Sequence, residues 1–126
     1  MDLILGPLPV DAINRTLGLE MEAGEVIFSA AAQAHAYRSH SDDYPKCVPH
    51  VGLVVERPHY LGDDLNNPGK IELVSRVPAL GGGLLVALTI EMDADGRYNV
   101  CSCYPIGEKK IENRRQSGHL IIPKWK

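Results

Sequence analysis

The spacing of apolar residues changes along the chain, from a helical period in the first half to a strand period in the second. Val10, Ile13 and Leu17 are spaced as on one face of a helix. The predicted elements of this half are helices from Pro7 to Leu17, Ala30 to about His40 and Pro45 to Val55, with a short strand from Glu25 to Phe28. Ser29 is suited to cap the second helix, because its hydroxyl can accept a hydrogen bond from the first turn.

Extended segments separated by turns dominate the second half. The clearest pair, Gly83 to Met92 and Arg97 to Tyr104, is joined by a turn ending in Asp95-Gly96, a dipeptide typical of tight hairpins. The remaining predictions are strands from His59 to Leu61, Lys70 to Val77 and His119 to Ile122, a loop from Gly62 to Gly69, and a short helix from Glu108 to Gln116. This order predicts an α+β fold of one domain, residues 1–126, with the N-terminal helices packed on one face of a four- to five-stranded antiparallel sheet.

The composition is that of an ordinary globular protein. Hydrophobic residues make up 44% and charged residues 23% of the 126 residues, which is typical of one folded domain. The longest apolar run, Leu84 to Leu88, is too short to cross a bilayer. Asp2 without a preceding basic region argues against a signal peptide, and three cysteines without a spaced framework suit a reducing compartment. We therefore expect a cytoplasmic protein with no membrane partner.

Charge is distributed unevenly, although the net charge of −3 does not by itself indicate nucleic-acid binding. From Gly107 to Lys126 there are six lysines and arginines and two glutamates, which gives this segment +4 and leaves −7 for the rest. Such a basic segment can line one wall of an anion site. It can equally be a solvated surface helix, and the sequence leaves both interpretations open.

The helix predicted from Ala30 carries three side chains suited to phosphate chemistry: His35, Arg38 and His40. Imidazoles gain and lose protons near neutral pH, and a guanidinium keeps its charge. A continuous helix places the two histidines about 140° out of phase, so they do not form a metal-binding face. The helix dipole at the C-terminus favours the imidazolium form of His40. The alternatives are a partly buried His35 bonded to backbone and a His40 that only caps the helix.

The last predicted hairpin strand carries a second set of polar groups. Strand alternation sends Val100, Ser102 and Tyr104 to one face and Cys101 and Cys103 to the other. Free cysteines are mostly buried, so the cysteine face is expected against the helices. The hydroxyl groups of Ser102 and Tyr104 then point to the opposite, concave face, where they can meet a ligand.

Metal and nucleotide motifs are weak in this chain. Cys47, Cys101 and Cys103 lack the CxxC spacing of a zinc site, and the glycine run 81–83 lacks the helix start that follows a phosphate loop. The acidic pairs at 42–43 and 63–64 are more typical of caps and loops than of a magnesium site. We therefore expect no metal and no other cofactor, and a zinc-stabilised module remains an alternative.

The residue types described above match RNA cleavage without a metal. The 2′-hydroxyl of the substrate is the nucleophile, so the protein needs a base, an acid, and cations or donors around the phosphate. The candidates are His35 and His40 for proton transfer, Arg38 or Lys46 for the phosphate, Ser102 and Tyr104 for hydrogen bonds, and Tyr44 and Tyr60 for stacking on an unpaired base.

These residues also carry a resemblance to a nuclease family. The segments concerned, which together span nearly the whole chain, are Leu5-Gly6-Pro7-Leu8-Pro9, Val26-Ile27-Phe28-Ser29 before the helix with His35 and Arg38-x-His40, Pro58-His59-Tyr60, and Ser102-x-Tyr104. They resemble the phage-associated nucleases grouped with barnase, EndoU, colicin-type tRNases and RelE, abbreviated BECR. The resemblance implies a toxin-like ribonuclease whose sheet binds single-stranded or tRNA-like RNA and cleaves it without a metal. A protein inhibitor is a possible second partner.

By position, His40 and Ser102 correspond to the family's helix histidine and sheet hydroxyl, with His35 and Arg38 beside them. This assignment requires His40 and Ser102 to open onto a common cleft. Two features depart from the family pattern. The overall charge is acidic, and no lysine falls on the presumed sheet face. The alternative is a catalytically inactive domain of the same fold that binds a protein or nucleic-acid partner.

Overall fold

The computed structural model describes residues 1–63 and 68–125, and its strands form one six-stranded sheet. The described elements are β1 (Leu3–Pro7), α1 (Val10–Leu17), β2 (Glu25–Phe28), α2 (Ala30–Ser39), α3 (Tyr44–Glu56), β3 (Tyr60–Asp63), β4 (Lys70–Val77), β5 (Gly82–Thr89), β6 (Arg97–Ile106) and α4 (Glu108–Gln116). A short 3-10 turn, Pro78–Leu80, joins β4 to β5. This content confirms the predicted α+β class.

The sheet has the strand order β1-β2-β6-β5-β4-β3 and is mixed. Neighbouring strands are antiparallel except β2 and β6, which pair in parallel around Val26 and Tyr98. The prediction of a four- to five-stranded antiparallel sheet was therefore wrong. β1 was missed because it is short and ends in Gly6-Pro7. The parallel pair arises because α2 and α3 carry the chain to the far edge, and the meander from β3 to β6 returns it beside β2.

The helix ends follow local signals that the sequence contains. The Oγ of Ser29 accepts a hydrogen bond from the N–H of Ala32 at 3.1 Å, which caps α2 as predicted. Gly18 ends α1 with a φ of 69°, a conformation that glycine adopts without steric cost. α1 begins at Val10 instead of Pro7, because the residues before Pro9 belong to β1 and the turn that follows it.

Apolar side chains form two cores, one on each face of the sheet. In the larger core, Ile13 of α1 and Val51 of α3 pack together with Phe28 of β2. In the smaller core, Ile111 of α4 packs with Val74 of β4. The prediction that the helices cover one face holds for α1, α2 and α3, whereas α4 covers the other. Among the described residues, no helix is long and apolar enough to cross a bilayer.

A bulge in β6 changes the predicted alternation of its side chains. The register of β6 against β5 shifts after Val100, which leaves Cys101 as the extra residue. Val100 and Cys103 consequently both belong to the larger core, although simple alternation puts them on opposite faces. Ser102 and Tyr104 lie beyond the bulge and keep a common face, as predicted.

The edge strand predicted from His59 to Leu61 is found as β3, which extends from Tyr60 to Asp63, so the predicted loop from Gly62 was started two residues too early. Residues 64–67 of that loop lie outside the described residues. The closing strand predicted from His119 to Ile122 is reduced to one bridge between Leu61 and Ile121. Two backbone hydrogen bonds of 2.8 Å at this bridge attach the C-terminal segment to the sheet edge.

Gly83 in β5 is expected not to tolerate a side chain. A Cβ at this position would lie 2.7 Å from the carbonyl oxygen of Ser75 and 2.9 Å from Cδ1 of Ile111. We expect Gly83→Ala to lower the free energy of unfolding by about 1–3 kcal/mol, as overpacking does. Gly52→Ala is the control, because a Cβ there meets nothing within 4 Å and alanine favours the helix. Urea unfolding measures both, and equal stabilities would contradict the described packing.

Candidate functional site

The corner between α2 and α3 lies beside β6 and brings His40 to Tyr104. The N–H of His40 donates to the carbonyl of Ala36 at 2.9 Å, and the His40 carbonyl accepts from the N–H groups of Asp43 and Tyr44 at 3.1 and 2.8 Å. These bonds fix the backbone at the end of α2. The ring centroids of His40 and Tyr104 are 5.9 Å apart, with a 30° angle between the ring planes. The contact joins the two segments that carry the predicted chemistry.

Ser102 and Tyr104 project from the same face of β6. Ser102 lies opposite Ala87 and Tyr104 opposite Leu85, and both of these β5 residues belong to the smaller core. Side chains two residues apart on a strand point to the same side. Ser102 therefore shares a face with the phenol that contacts His40.

His35, Arg38 and Lys46 are exposed side chains on the two helices of this corner. α2 buries Ala36 and leaves His35 in solvent, so His35 is not the partly buried histidine of the alternative interpretation. The two cationic side chains add positive charge to the solvent side of α2 and α3. A polyanion can contact them there without entering the protein.

Tyr44, one of the two predicted stacking residues, is held by contacts within the protein. Its hydroxyl donates to Oε1 of Gln33 at 2.9 Å, and its ring meets that of Tyr37 edge to face, with centroids 5.8 Å apart. Burial, with the nearby Cys103 thiol as a smaller cause, raises the pKa of Tyr44. The side chain of Tyr37 is 53% exposed, so Tyr37 offers the larger surface to an incoming base.

The cysteines of the larger core are poorly suited to nucleophilic chemistry. Burial, assisted by the neighbouring Cys47, raises the pKa of the Cys103 thiol to about 12. Burial and the charge of Asp43 also raise the pKa of Cys47. A thiol needs its thiolate form to attack or to bind a metal. Within residues 1–63 and 68–125, no three His, Cys, Asp or Glu side chains are grouped closely enough to hold a metal ion.

The candidate site is an open surface. Among the described residues, four cavities have volumes of about 630, 340, 320 and 440 Å³. Tyr60 lines the first of them, but His40, Ser102 and Tyr104 line none of the four. His40 is exposed, and Ser102 and Tyr104 are half-buried. The cleft expected from the sequence between His40 and Ser102 is not one of these four cavities.

A buried carboxylate on the Ser102 face of the sheet escaped the sequence analysis. Glu72 of β4 is 6% exposed, and its Oε1 lies 2.8 Å from Nε2 of His119. A guanidinium nitrogen of Arg114 lies 3.6 Å from the same oxygen. This nitrogen has no hydrogen-bond partner among the described residues. The Glu72 carboxylate, which lies at ion-pair distance, compensates the charge of the guanidinium. The three residues attach α4 and the C-terminal segment to the sheet.

Cross-strand pairing relates this carboxylate to Ser102. Glu72 pairs with Ala87, and Ala87 pairs with Ser102. The Cα atoms of Glu72 and Ser102 are thus two strand spacings apart, or about 10 Å. One sequence signal was present, because alternation puts Glu72 on the same face as Val74 of the smaller core. No local pattern indicated His119 as the partner.

Tyr60, the other predicted stacking residue, is 6% exposed and is part of an ion-pair network. Its hydroxyl bonds to Arg76, whose guanidinium lies 2.6 Å from a carboxylate oxygen of Glu108 and 2.9 Å from one of Glu112. Hydrogen bonds from Arg76 lower the pKa of Glu108. A base cannot reach a ring buried in this way, so the prediction for Tyr60 was wrong. Arg115 pairs with Glu112 at 3.2 Å, which further reduces the free positive charge of the basic segment.

Comparison with known proteins gives no match to a family model, a curated protein or a solved structure. A functional proposal for this chain therefore depends on its own residues and contacts.

Removal of the buried carboxylate is expected to destabilise the protein. Glu72→Ala leaves His119 without its hydrogen-bond partner and Arg114 without its ion-pair partner, and we expect the free energy of unfolding to fall by about 1–3 kcal/mol. Glu91→Ala is the control, because Glu91 is exposed and most such substitutions change stability by less than about 0.5 kcal/mol. Urea unfolding at neutral pH compares the two. A Glu72→Ala protein as stable as the control would show that the network contributes nothing.

Proposed function

We propose that the chain is a metal-independent endoribonuclease that cleaves RNA through the 2′-hydroxyl, with His40 and Ser102 at the centre of its site. The observation that carries the proposal is the ring contact between His40 and Tyr104. It brings an imidazole, which can transfer protons near neutral pH, to the strand face that presents two hydroxyl groups.

The proposed reaction needs only side chains of α2, its C-terminal corner and β6, together with the RNA itself. The 2′-oxygen attacks the adjacent phosphorus and loses its proton to a base, and the bond to the 5′-oxygen of the next nucleotide breaks as that oxygen receives a proton. The products are a 2′,3′-cyclic phosphate and a 5′-hydroxyl. We assign the base and acid roles to His35 and His40, which are both exposed to solvent.

The remaining groups bind the phosphate and the bases. Ser102 and Tyr104 donate hydrogen bonds to the phosphate oxygens, whose charge increases in the transition state. Arg38 and Lys46 hold the backbone phosphates from the solvent side. Tyr37 takes the stacking role first given to Tyr44, because its ring is the more exposed of the two.

An open surface favours single-stranded or tRNA-like RNA over a mononucleotide, because a single nucleotide needs an enclosing pocket to bind tightly. The resemblance to the BECR nucleases supports the same substrate class and a toxin-like protein of phage origin. It also supports a location in the cytoplasm and a protein inhibitor as second partner.

A catalytically inactive domain of the same fold is the second candidate. The net charge of −3 favours it, since nucleases of this kind are often basic. In that case the surface around His40 binds a protein or nucleic-acid partner without cleaving it.

The purified protein is expected to cleave total RNA in the presence of EDTA and to leave 2′,3′-cyclic phosphate ends. Chelation does not stop the reaction, because the proposed chemistry uses side chains and the 2′-hydroxyl alone. Sequencing that captures cyclic phosphate ends measures the products and locates the cleaved bonds. Binding of RNA without new ends would support the inactive domain, and dependence on added Zn²⁺ or Mg²⁺ would contradict the metal-free mechanism.

His40→Ala is expected to reduce the cleavage rate by about 10²–10⁴-fold, as removal of an acid or base group does. Ser102→Ala removes one donor to the phosphate, and a loss of up to about 10²–10³-fold is expected. Ser39→Ala is the matched control, because Ser39 is exposed and next to His40 in the sequence.

All three variants are purified in parallel, and circular dichroism verifies that they are folded. Cleavage by His40→Ala at the rate of Ser39→Ala would identify a contaminating nuclease or another site, and would end the assignment of His40.

A further inference from the structure

A cavity of about 630 Å³ lies at the end of α3, away from the His40 surface. His50, Leu53 and Val54 of α3 line it, together with Arg57, which caps the C-terminal end of this helix. Their spacing of three and four residues is that of one helix face. Neither the predicted site nor the proposed reaction uses this stripe of α3.

The C-terminal segment forms the opposite wall, with Ile122, Pro123 and Trp125 facing the cavity. This wall is held in place by α1, because Arg15 donates hydrogen bonds to the carbonyls of Lys124 and Trp125 at 3.0 and 2.8 Å. The cavity is therefore formed before a ligand arrives, and binding does not require the wall to be ordered first.

Arg57 supplies a cation that no described carboxylate neutralises. Its guanidinium lies over the indole of Trp125, 4.6 Å from the ring centroid. Among residues 1–63 and 68–125, the ion pairs of at most 4.0 Å include none with Arg57. Arg76 also lines the cavity, but Glu108 and Glu112 already compensate its charge. Arg57 is consequently the guanidinium available to an anion.

His59 provides a hydrogen-bond donor beside this cation. The backbone N–H of Arg76 donates to Nδ1 of His59 at 3.0 Å. In the neutral ring the proton must therefore be on Nε2, which makes Nε2 a donor. The rest of the lining is largely apolar and includes Val54, Pro58 and Val77.

We propose that this cavity binds a small amphipathic monoanion, of the class of carboxylates with an apolar body. The apolar body of the ligand packs against Val54, Val77 and Pro123, and its carboxylate meets Arg57 and His59. The volume is within the range of small-molecule sites, roughly 300–1,000 Å³. The ligand is expected to be an anion because Arg57 has no carboxylate partner among the described residues. It is not expected to be a free inorganic ion because the walls of the cavity are largely apolar. This inference does not depend on the proposed ribonuclease activity.

Phenylbutyrate and its uncharged amide, phenylbutyramide, test the proposal as a matched pair of probes. Trp125 is the single tryptophan of the chain and lines the cavity, so its fluorescence reports occupancy directly. We expect a saturable change with phenylbutyrate, confirmed by titration calorimetry at one site per chain. We expect affinity for the amide to be about tenfold weaker, because the neutral amide oxygen accepts a weaker hydrogen bond from the Arg57 guanidinium than a carboxylate does.

Arg57→Gln is expected to weaken phenylbutyrate binding by about tenfold and to leave phenylbutyramide binding unchanged. Arg97→Gln is the matched control, because Arg97 at the start of β6 does not line the cavity. Ala79→Phe is expected to fill the cavity and to block the binding of both probes. Because Ala79 is exposed, the larger side chain is not expected to disturb folding.

Three outcomes would overturn the proposal. They are no saturable binding of phenylbutyrate, equal affinities for the acid and the amide, and equal effects of Arg57→Gln and Arg97→Gln on phenylbutyrate. Unchanged binding to a folded Ala79→Phe protein would likewise place the probe outside this cavity.

Discussion

The parallel pairing of β2 with β6 is the constraint on which the arrangement of the candidate site depends. β2 leads directly into α2 through Ser29, so the place of β2 in the sheet decides where α2 and its C-terminal corner lie. β6 is held on its other side by the long antiparallel ladder with β5. His40 and Tyr104 meet because β2, which leads into α2, is the neighbour of β6 in the sheet. A weaker pairing of β2 with β6 would separate His40 from Ser102 and Tyr104 without altering the local structure of either segment.

Most of the local structure followed from local patterns. The Ser29 cap predicted the start of α2, the apolar spacing predicted α3, and the Asp95-Gly96 turn predicted the β5–β6 hairpin, each from residues that are close in the sequence. Apart from the short strand β1, the failures concern relations between distant segments. The parallel strand pair depends on which sheet edge the chain reaches after α3, and the bulge at Cys101 depends on register with another strand. Single-sequence periodicity contains neither kind of information.

The candidate site was likewise predictable where it depends on residues close in the sequence and unpredictable where it depends on distant segments. The chemistry of His40, Ser102 and Tyr104 was visible as residue types on a helix end and a strand face, and the structure adds the contact between His40 and Tyr104. Glu72 with His119 was not visible, because their pairing requires α4 to cover the second face of the sheet. Ile111, the single buried residue of α4, gave too weak a pattern to predict that cover. The burial of Tyr60 follows from the same unforeseen layer.

The hydrogen bonds from Arg15 to Lys124 and Trp125 have a kinetic consequence. They join α1 to a segment that is synthesised long after it, because every element from β2 to α4 lies between the two partners along the chain. Bringing such distant segments together directly costs loop-closure entropy, which grows with the length of the flexible chain between them. Formation of the sheet shortens that flexible chain, so the cavity wall is expected to assemble after the sheet.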